Sequence, residues 1–188
     1  MSNIPERVAQ YHKDFAELLS KLDQKSMIVA SELVKKVYDA DKQIFTAGNG
    51  GSAAVATHFA ADFGKNVAGP EDKPPRIISL CGNVSSITAL GNDCGYDQVF
   101  EGQLKNLMNP GDLVILISAS GNSPNVIRAA QFAKSGGALV LGLTGFDGGK
   151  LQSLSDVNLH APSTVYELVE DAHSFFSHVL VHALKNRK

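Results

Sequence analysis

The chain has 188 residues, 44% of them hydrophobic, which fits one globular domain with a sizeable core. Net charge is −2 with no basic block, so the electrostatic footprint of a nucleic-acid binder is missing. Two cysteines make no disulfide framework, no apolar run is long enough to span a bilayer, and Met1-Ser-Asn-Ile-Pro-Glu lacks the basic start and apolar core of a signal peptide. The expectation is a soluble, cytoplasmic protein with no membrane partner.

Residues 1–41 read as a helical extension and 42–188 as the main domain. Val8, Tyr11, Phe15, Leu18, Leu19 and Leu22 recur at helical spacing, and Met27, Ala30, Leu33, Val34 and Val37 repeat the pattern. A turn at 22–26 separates the two helices, with Ser26 the expected cap of the second. Their apolar faces fit either the chain's own domain or a partner subunit.

From residue 43, apolar strands alternate with helices. Strands are predicted at 43–46, 76–80, 113–118, 138–144 and 157–160, and helices at 52–65, 85–90, 98–107, 123–135 and 164–185. Strands that are apolar throughout, separated by helices, require a parallel sheet covered on both faces. Five of them favour an α/β, flavodoxin-like doubly wound order, with ligands at the carboxyl ends of the strands. Asn109-Pro-Gly-Asp and Lys134-Ser-Gly-Gly are turns.

The first strand runs into Gly48-Asn-Gly-Gly-Ser52, a glycine loop opening a helix. Such a corner aims backbone N–H groups at one point and adds the partial positive charge of a helix N-terminus, which suits a phosphate. The spacing also satisfies a loose dinucleotide fingerprint, but the next strand ends Leu80-Cys-Gly-Asn, without the acidic residue that holds a ribose. No lysine follows the glycines, so a Walker loop is absent too, and no nucleotide cofactor is expected. A second loop, Ser118-Ala-Ser120-Gly-Asn-Ser123, follows the third strand. Ser52 and Ser123 lie where helices begin and fit helix caps as well as phosphate contacts. Capping does not explain Ser118 and Ser120.

Two further groupings carry chemistry. His58 and Asp62 lie four residues apart on the helix after the first loop, hence on one face. The last helix holds His173, His178 and His182, and spacing alone would choose His178 with His182 as a ligand pair.

Thr46-Ala-Gly-Asn-Gly-Gly-Ser-Ala, Ile117-Ser-Ala-Ser-Gly-Asn-Ser-Pro-Asn-Val and Leu143-Thr-Gly-Phe-Asp-Gly-Gly-Lys together resemble the sugar isomerase (SIS) domain. Gly91-Asn-Asp-Cys-Gly-Tyr and His58-Phe-Ala-Ala-Asp narrow the likeness to the phosphoheptose isomerases, which act on sedoheptulose 7-phosphate. The resemblance implies a carboxylate and a histidine, here Asp62 and His178, that interconvert ketose and aldose through an enediol. It implies one zinc ion per subunit on His58, Asp62, Glu170 and His178. It also implies substrate contacts at Asn49, Gly50, Gly51, Ser52, Asp62, Asn92, Asp93, Ser118, Ala119, Ser120, Ser123 and Glu170. The family assembles as homotetramers with active sites between subunits.

The chain departs from the family pattern at four positions. Asp62 replaces a glutamate and is one methylene shorter, a shift of about 1 Å that can cost ~100-fold in rate. Glu170 replaces a glutamine, Leu168 an arginine, and Ala119 a threonine. Glu170 and His178, eight residues apart, lie roughly 12 Å apart along a straight helix, which strains joint ligation. The expected activity is isomerisation of sedoheptulose 7-phosphate. The rivals are a different phosphosugar and a non-catalytic adaptor for a protein partner.

Overall fold

The computed structural model describes residues 3–185. Met1 and Ser2 of the N-terminal hexapeptide, and 186–188 of the expected domain, lie outside them. Two helices come first, α1 (Ile4–Lys21) and α2 (Gln24–Asp39). The cap of α2 is Asp23 rather than Ser26: its carboxylate accepts the Lys25 and Ser26 N–H groups at 3.0 and 3.2 Å. Ser26 instead donates its hydroxyl to that carboxylate at 2.6 Å. An anion one step before the helix satisfies the free N–H groups better than a hydroxyl three residues inside it.

Five strands follow: β1 (Ile44–Gly48), β2 (Ile77–Ser79), β3 (Leu113–Ser118), β4 (Leu139–Thr144) and β5 (Val157–His160). They form one parallel sheet in the order β2-β1-β3-β4-β5, the doubly wound order expected. Chain direction across the sheet reverses between β1 and β3, which leaves a crevice at their carboxyl ends. The register places Gly48 of β1 beside Ile117 of β3. Both glycine loops therefore leave the sheet at the same place.

The connecting helices are α3 (Gly51–Asn66), α4 (Val84–Asp93), α5 (Val99–Leu107), α6 (Pro124–Ser135), α7 (Gly149–Leu154) and α8 (Tyr166–Leu184), with a 3-10 turn at Tyr96–Gln98. Alternation along the strands sorts them into two layers. Ile44, Leu113, Ile115, Ile117, Leu141 and Leu143 face a core shared with α1, α2, α3 and α8. Phe45, Ala47, Val114, Leu116 and Val140 face the other layer, built on α5, α6 and α7. The six-residue α7 was not anticipated, because it opens on Gly148 and Gly149, and paired glycines read as a turn.

The N-terminal helices use the chain's own domain. On α2, Ala30, Val34 and Val37 are buried in the first core, whereas α1 enters it chiefly through Leu18 and leaves Ile4 and Val8 exposed. Tyr11 of α1 donates its hydroxyl to Asp171 of α8 at 2.6 Å, and burial together with that carboxylate pushes the phenol up to about 12. Among the described residues, no helix is long and apolar enough to cross a membrane.

Candidate functional site

The first anion corner is built on three glycines, two of which stand where a side chain would clash or strain the backbone. A Cβ on Gly48 would come within 2.8 Å of the Ser52 backbone, so the strand end and the helix start touch only through glycine. Gly50, at φ 52°, occupies the position before α3, and no side chain caps that helix. The Gly51 and Ser52 N–H groups that open it lack an intrahelical acceptor, whereas Ala53 N–H already donates to the Asn49 and Gly50 carbonyls. Ser52 lies inside the first turn, buried, rather than at the cap.

The second corner follows β3. Gly121, at φ 63°, turns so tightly that an added Cβ would run into the Gly148 carbonyl oxygen. Ser118 Oγ accepts the Gly121 N–H at 3.2 Å and lies 3.3 Å from Ser123 Oγ. Ser123 occupies the cap position of α6, yet its side chain makes no capping bond. Its hydroxyl pairs with Ser118 instead, so the capping alternative fails for both Ser52 and Ser123.

The two corners converge on one cavity of about 160 Å³. Asn49 and Ser52 line it from the first loop, and Ser118, Ala119, Ser120 and Ser123 from the second. Ile117, Tyr166 and Glu170 complete it. Sequence reasoning missed Tyr166, the first residue of α8, which meets Phe146 edge-on with ring centroids 4.8 Å apart. Its position in the chain carried no motif that would have singled it out. The Glu170 carboxylate packs so closely over Gly51 that a Cβ there would overlap it. Leu168 is buried in the core.

Five of the expected contacts do not line this cavity within the chain: Gly50 and Gly51 belong to the first loop without lining it, Asp62 lies further along α3, and Asn92 and Asp93 are placed elsewhere. Asn92 and Asp93 stand at the end of α4, where Asn92 donates to the Asp93 carboxylate at 2.7 Å. Asp93 lines a separate cavity with Leu90, Cys94 and Gln103.

A cluster of titratable groups lies further along the paired helices α3 and α8. Asp62 Oδ2 is 3.2 Å from His58 Nε2 and 3.6 Å from His178 Nε2, and the two imidazoles meet edge-on at 5.3 Å. One donor atom from each of the three residues lies within 4.8 Å of the others, a two-nitrogen, one-oxygen set that fits a divalent metal such as zinc. Glu170 stands outside this cluster, as the eight-residue spacing implies, and so does His182, which is exposed. Both histidines of the cluster are more than half exposed, so ligand reaches them from solvent.

His173, on the same helix, belongs to the core. It is fully buried, and neither ring nitrogen has a hydrogen-bond partner. Burial pushes it down to about 4, offset in part by the Thr144 backbone and reinforced by His160. It is thus a neutral packing residue.

The sequence profile of the SIS domain matches residues 10–145. The phosphoheptose isomerase of Aliarcobacter butzleri is 38% identical over 175 residues, covering 93% of this chain and 92% of that protein. That of Nitratidesulfovibrio vulgaris is 44% identical over 133 residues, covering 71% of this chain and 64% of that protein. Among solved structures, the phosphoheptose isomerase GmhA of Neisseria gonorrhoeae superposes with a TM-score of 0.90 at 33% identity, covering 97% of this chain and 98% of that one. The doubly wound sheet, the paired serine–glycine corners and these relatives agree, and the chain belongs to the SIS domain family, among its phosphoheptose isomerases.

Proposed function

We propose that this protein isomerises sedoheptulose 7-phosphate to the corresponding aldose phosphate. The observation that carries the reading is that α3 begins at an anion corner and, further along, bears Asp62 within 3.6 Å of His178. The phosphate would sit on the serine hydroxyls and uncapped helix N-termini, which fix one end of the sugar. Asp62 then removes the proton beside the carbonyl, and His178 carries the proton exchanged at oxygen, giving an enediol that collapses to the isomeric sugar. His58 lies against the Asp62 carboxylate and holds its orientation. A zinc ion held by His58, Asp62 and His178 would supply Lewis acidity at the carbonyl.

The exposed Ile4 and Val8 of α1 offer apolar surface to a second copy, in keeping with a homotetramer whose sites lie between subunits. Asn92 and Asp93, remote from the cavity within one chain, would then serve a neighbour's site. Two unpaired cysteines and the absence of a long apolar helix among the described residues support a cytoplasmic setting.

The test is turnover of a panel of five- to seven-carbon sugar phosphates, with and without zinc, by the purified protein and by its Asp62→Asn and His178→Ala variants. Conversion of the heptulose phosphate by the parent alone is expected. Silence across the panel would return the chain to a binding role, and wild-type rates in either variant would remove that residue from the chemistry.

A further inference from the structure

Asn49 lines the cavity, and four hydrogen bonds determine which end of its amide is free. A backbone N–H can only donate, and one such group fixes the orientation of the neighbouring amide. Val126 N–H donates to Asn125 Oδ1 at 3.0 Å, which identifies that atom as oxygen. Asn125 is 2% exposed and has no room to turn over without losing that bond. Opposite its oxygen must stand a donor, and Asn49 Nδ2 lies there at 2.9 Å. Asn125 Nδ2 in turn donates to Asn49 Oδ1 at 2.9 Å. The Tyr96 hydroxyl donates to the same Asn49 oxygen at 3.0 Å. Both acceptor sites of that oxygen are then filled, and one of the two Nδ2 protons is committed. What Asn49 has left is a single N–H.

We propose that Asn125 and Tyr96 are positioning residues that lock the Asn49 amide, so that it presents a donor to an acceptor oxygen of the bound phosphorylated sugar. This rests on reading the cavity as the substrate seat. The same clasp ties three separate segments together: the loop after β1, the start of α6, and the 3-10 turn at Tyr96–Gln98. It therefore sets the spacing of the two anion corners as well as the polarity of one contact. Asn125 dominates, because it alone decides the orientation. Tyr96 fills a lone pair that would otherwise repel a ligand oxygen.

Asn125→Leu tests the lock without adding charge, and inorganic phosphate serves as a probe that needs no turnover. In the folded variant, KM for the heptulose phosphate is expected to rise about tenfold or more, with kcat changed less than about threefold, because one donor to a charged ligand is misaligned. Tyr96→Phe keeps the amide pair but leaves one acceptor site of the Asn49 oxygen unfilled, so KM should rise about threefold, less than in Asn125→Leu, and an unchanged KM removes Tyr96 from the lock. A rise in the phosphate Kd as well puts the acceptor on the phosphoryl group, and a rise for the sugar phosphate alone puts it on the sugar. Either supports the lock. Should Asn125→Leu fail to fold, Asn49→Asp, at a half-buried position, replaces the N–H with an acceptor and should weaken both probes. Wild-type KM and Kd in folded Asn125→Leu, or wild-type binding by Asn49→Asp, overturns the proposal. A parent that binds phosphate without isomerising the sugar removes only the proposed reaction, and one that binds neither probe removes the seat and the lock together.

Discussion

Replacing His173 by leucine separates the acid sensitivity of the core from that of the surface. In the folded chain His173 sits beside Phe176, Thr144 and His160 with no partner on either ring nitrogen, and burial lowers it from 6.5 to about 4. The unfolded chain therefore binds a proton between those values that the folded chain refuses. Stability from this group is complete above the unfolded value of 6.5 and is lost as pH falls from there toward 4. The full shift corresponds to about 3 kcal/mol, of which about 2 kcal/mol is lost between pH 7 and pH 5. Leucine cannot take up the proton and leaves no orphaned polar atom, so the variant should equal or exceed the parent in stability at pH 5. Urea unfolding followed by circular dichroism at pH 5, 6 and 7, on parent and variant, measures the difference directly. The parent should lose about 2 kcal/mol more than the variant across that range. Parallel profiles, agreeing within about 0.5 kcal/mol, would refute the reasoning, because surface carboxylates and His160 titrate in both proteins.

Two further outcomes follow from the site. Equilibrium dialysis against zinc should show one ion per subunit in the parent, and His58→Ala or His178→Ala should weaken binding by more than about tenfold while the far-ultraviolet spectrum is unchanged. Gly51→Ala should fold with a stability change within about 1 kcal/mol, since its Cβ meets only the end of a flexible Glu170 side chain, yet displace that carboxylate from the cavity and raise KM. Glu170→Ala alone should raise KM to a similar extent, with no further rise in the double variant, which would tie the effect to that contact; an unchanged KM in Gly51→Ala would show that the position of Glu170 does not matter.

The sheet was legible because burial on both faces writes unbroken apolar runs, and β3, Leu113–Ser118, has the predicted bounds. The order of strands followed from strand number and helical connections alone. Helix starts were less legible. Asp23 displaced Ser26 as the cap because both residues suit the role and only the backbone decides between them. In the site, spacing located the two loops and the His58–Asp62 pair, since all are local in sequence. Asn125 and Tyr96 fall inside motifs read from the sequence, yet their roles, like that of Tyr166, were not legible for the opposite reason. Their importance comes from a contact with a residue 47 or 76 positions away, or from a place on a cavity wall assembled from several segments. Asn92 and Asp93 show the converse, a motif whose neighbours within one chain are not those the family pattern suggests.

The side-by-side course of α3 and α8 also acts as a gauge. Both helices start at the anion corner, where Glu170 in the second turn of α8 meets Gly51, and both reach the His58–Asp62–His178 group about two to three turns from their starts. At about 1.5 Å per residue, the eight residues from Glu170 to His178 set a stride of roughly 12 Å, shortened by the tilt of side chains toward the helix starts. On the proposed reaction, a phosphosugar held at the corner by its phosphate would meet Asp62 and His178 only if its carbon chain covered that stride. A triose phosphate would be held and left unchanged, while a long open chain is drawn out along the helices with its carbonyl at the far end. Selection by reach would need no contact with the hydroxyls between, so on the proposed reaction two parallel helices of fixed pitch would discriminate sugars by the length of their carbon chains.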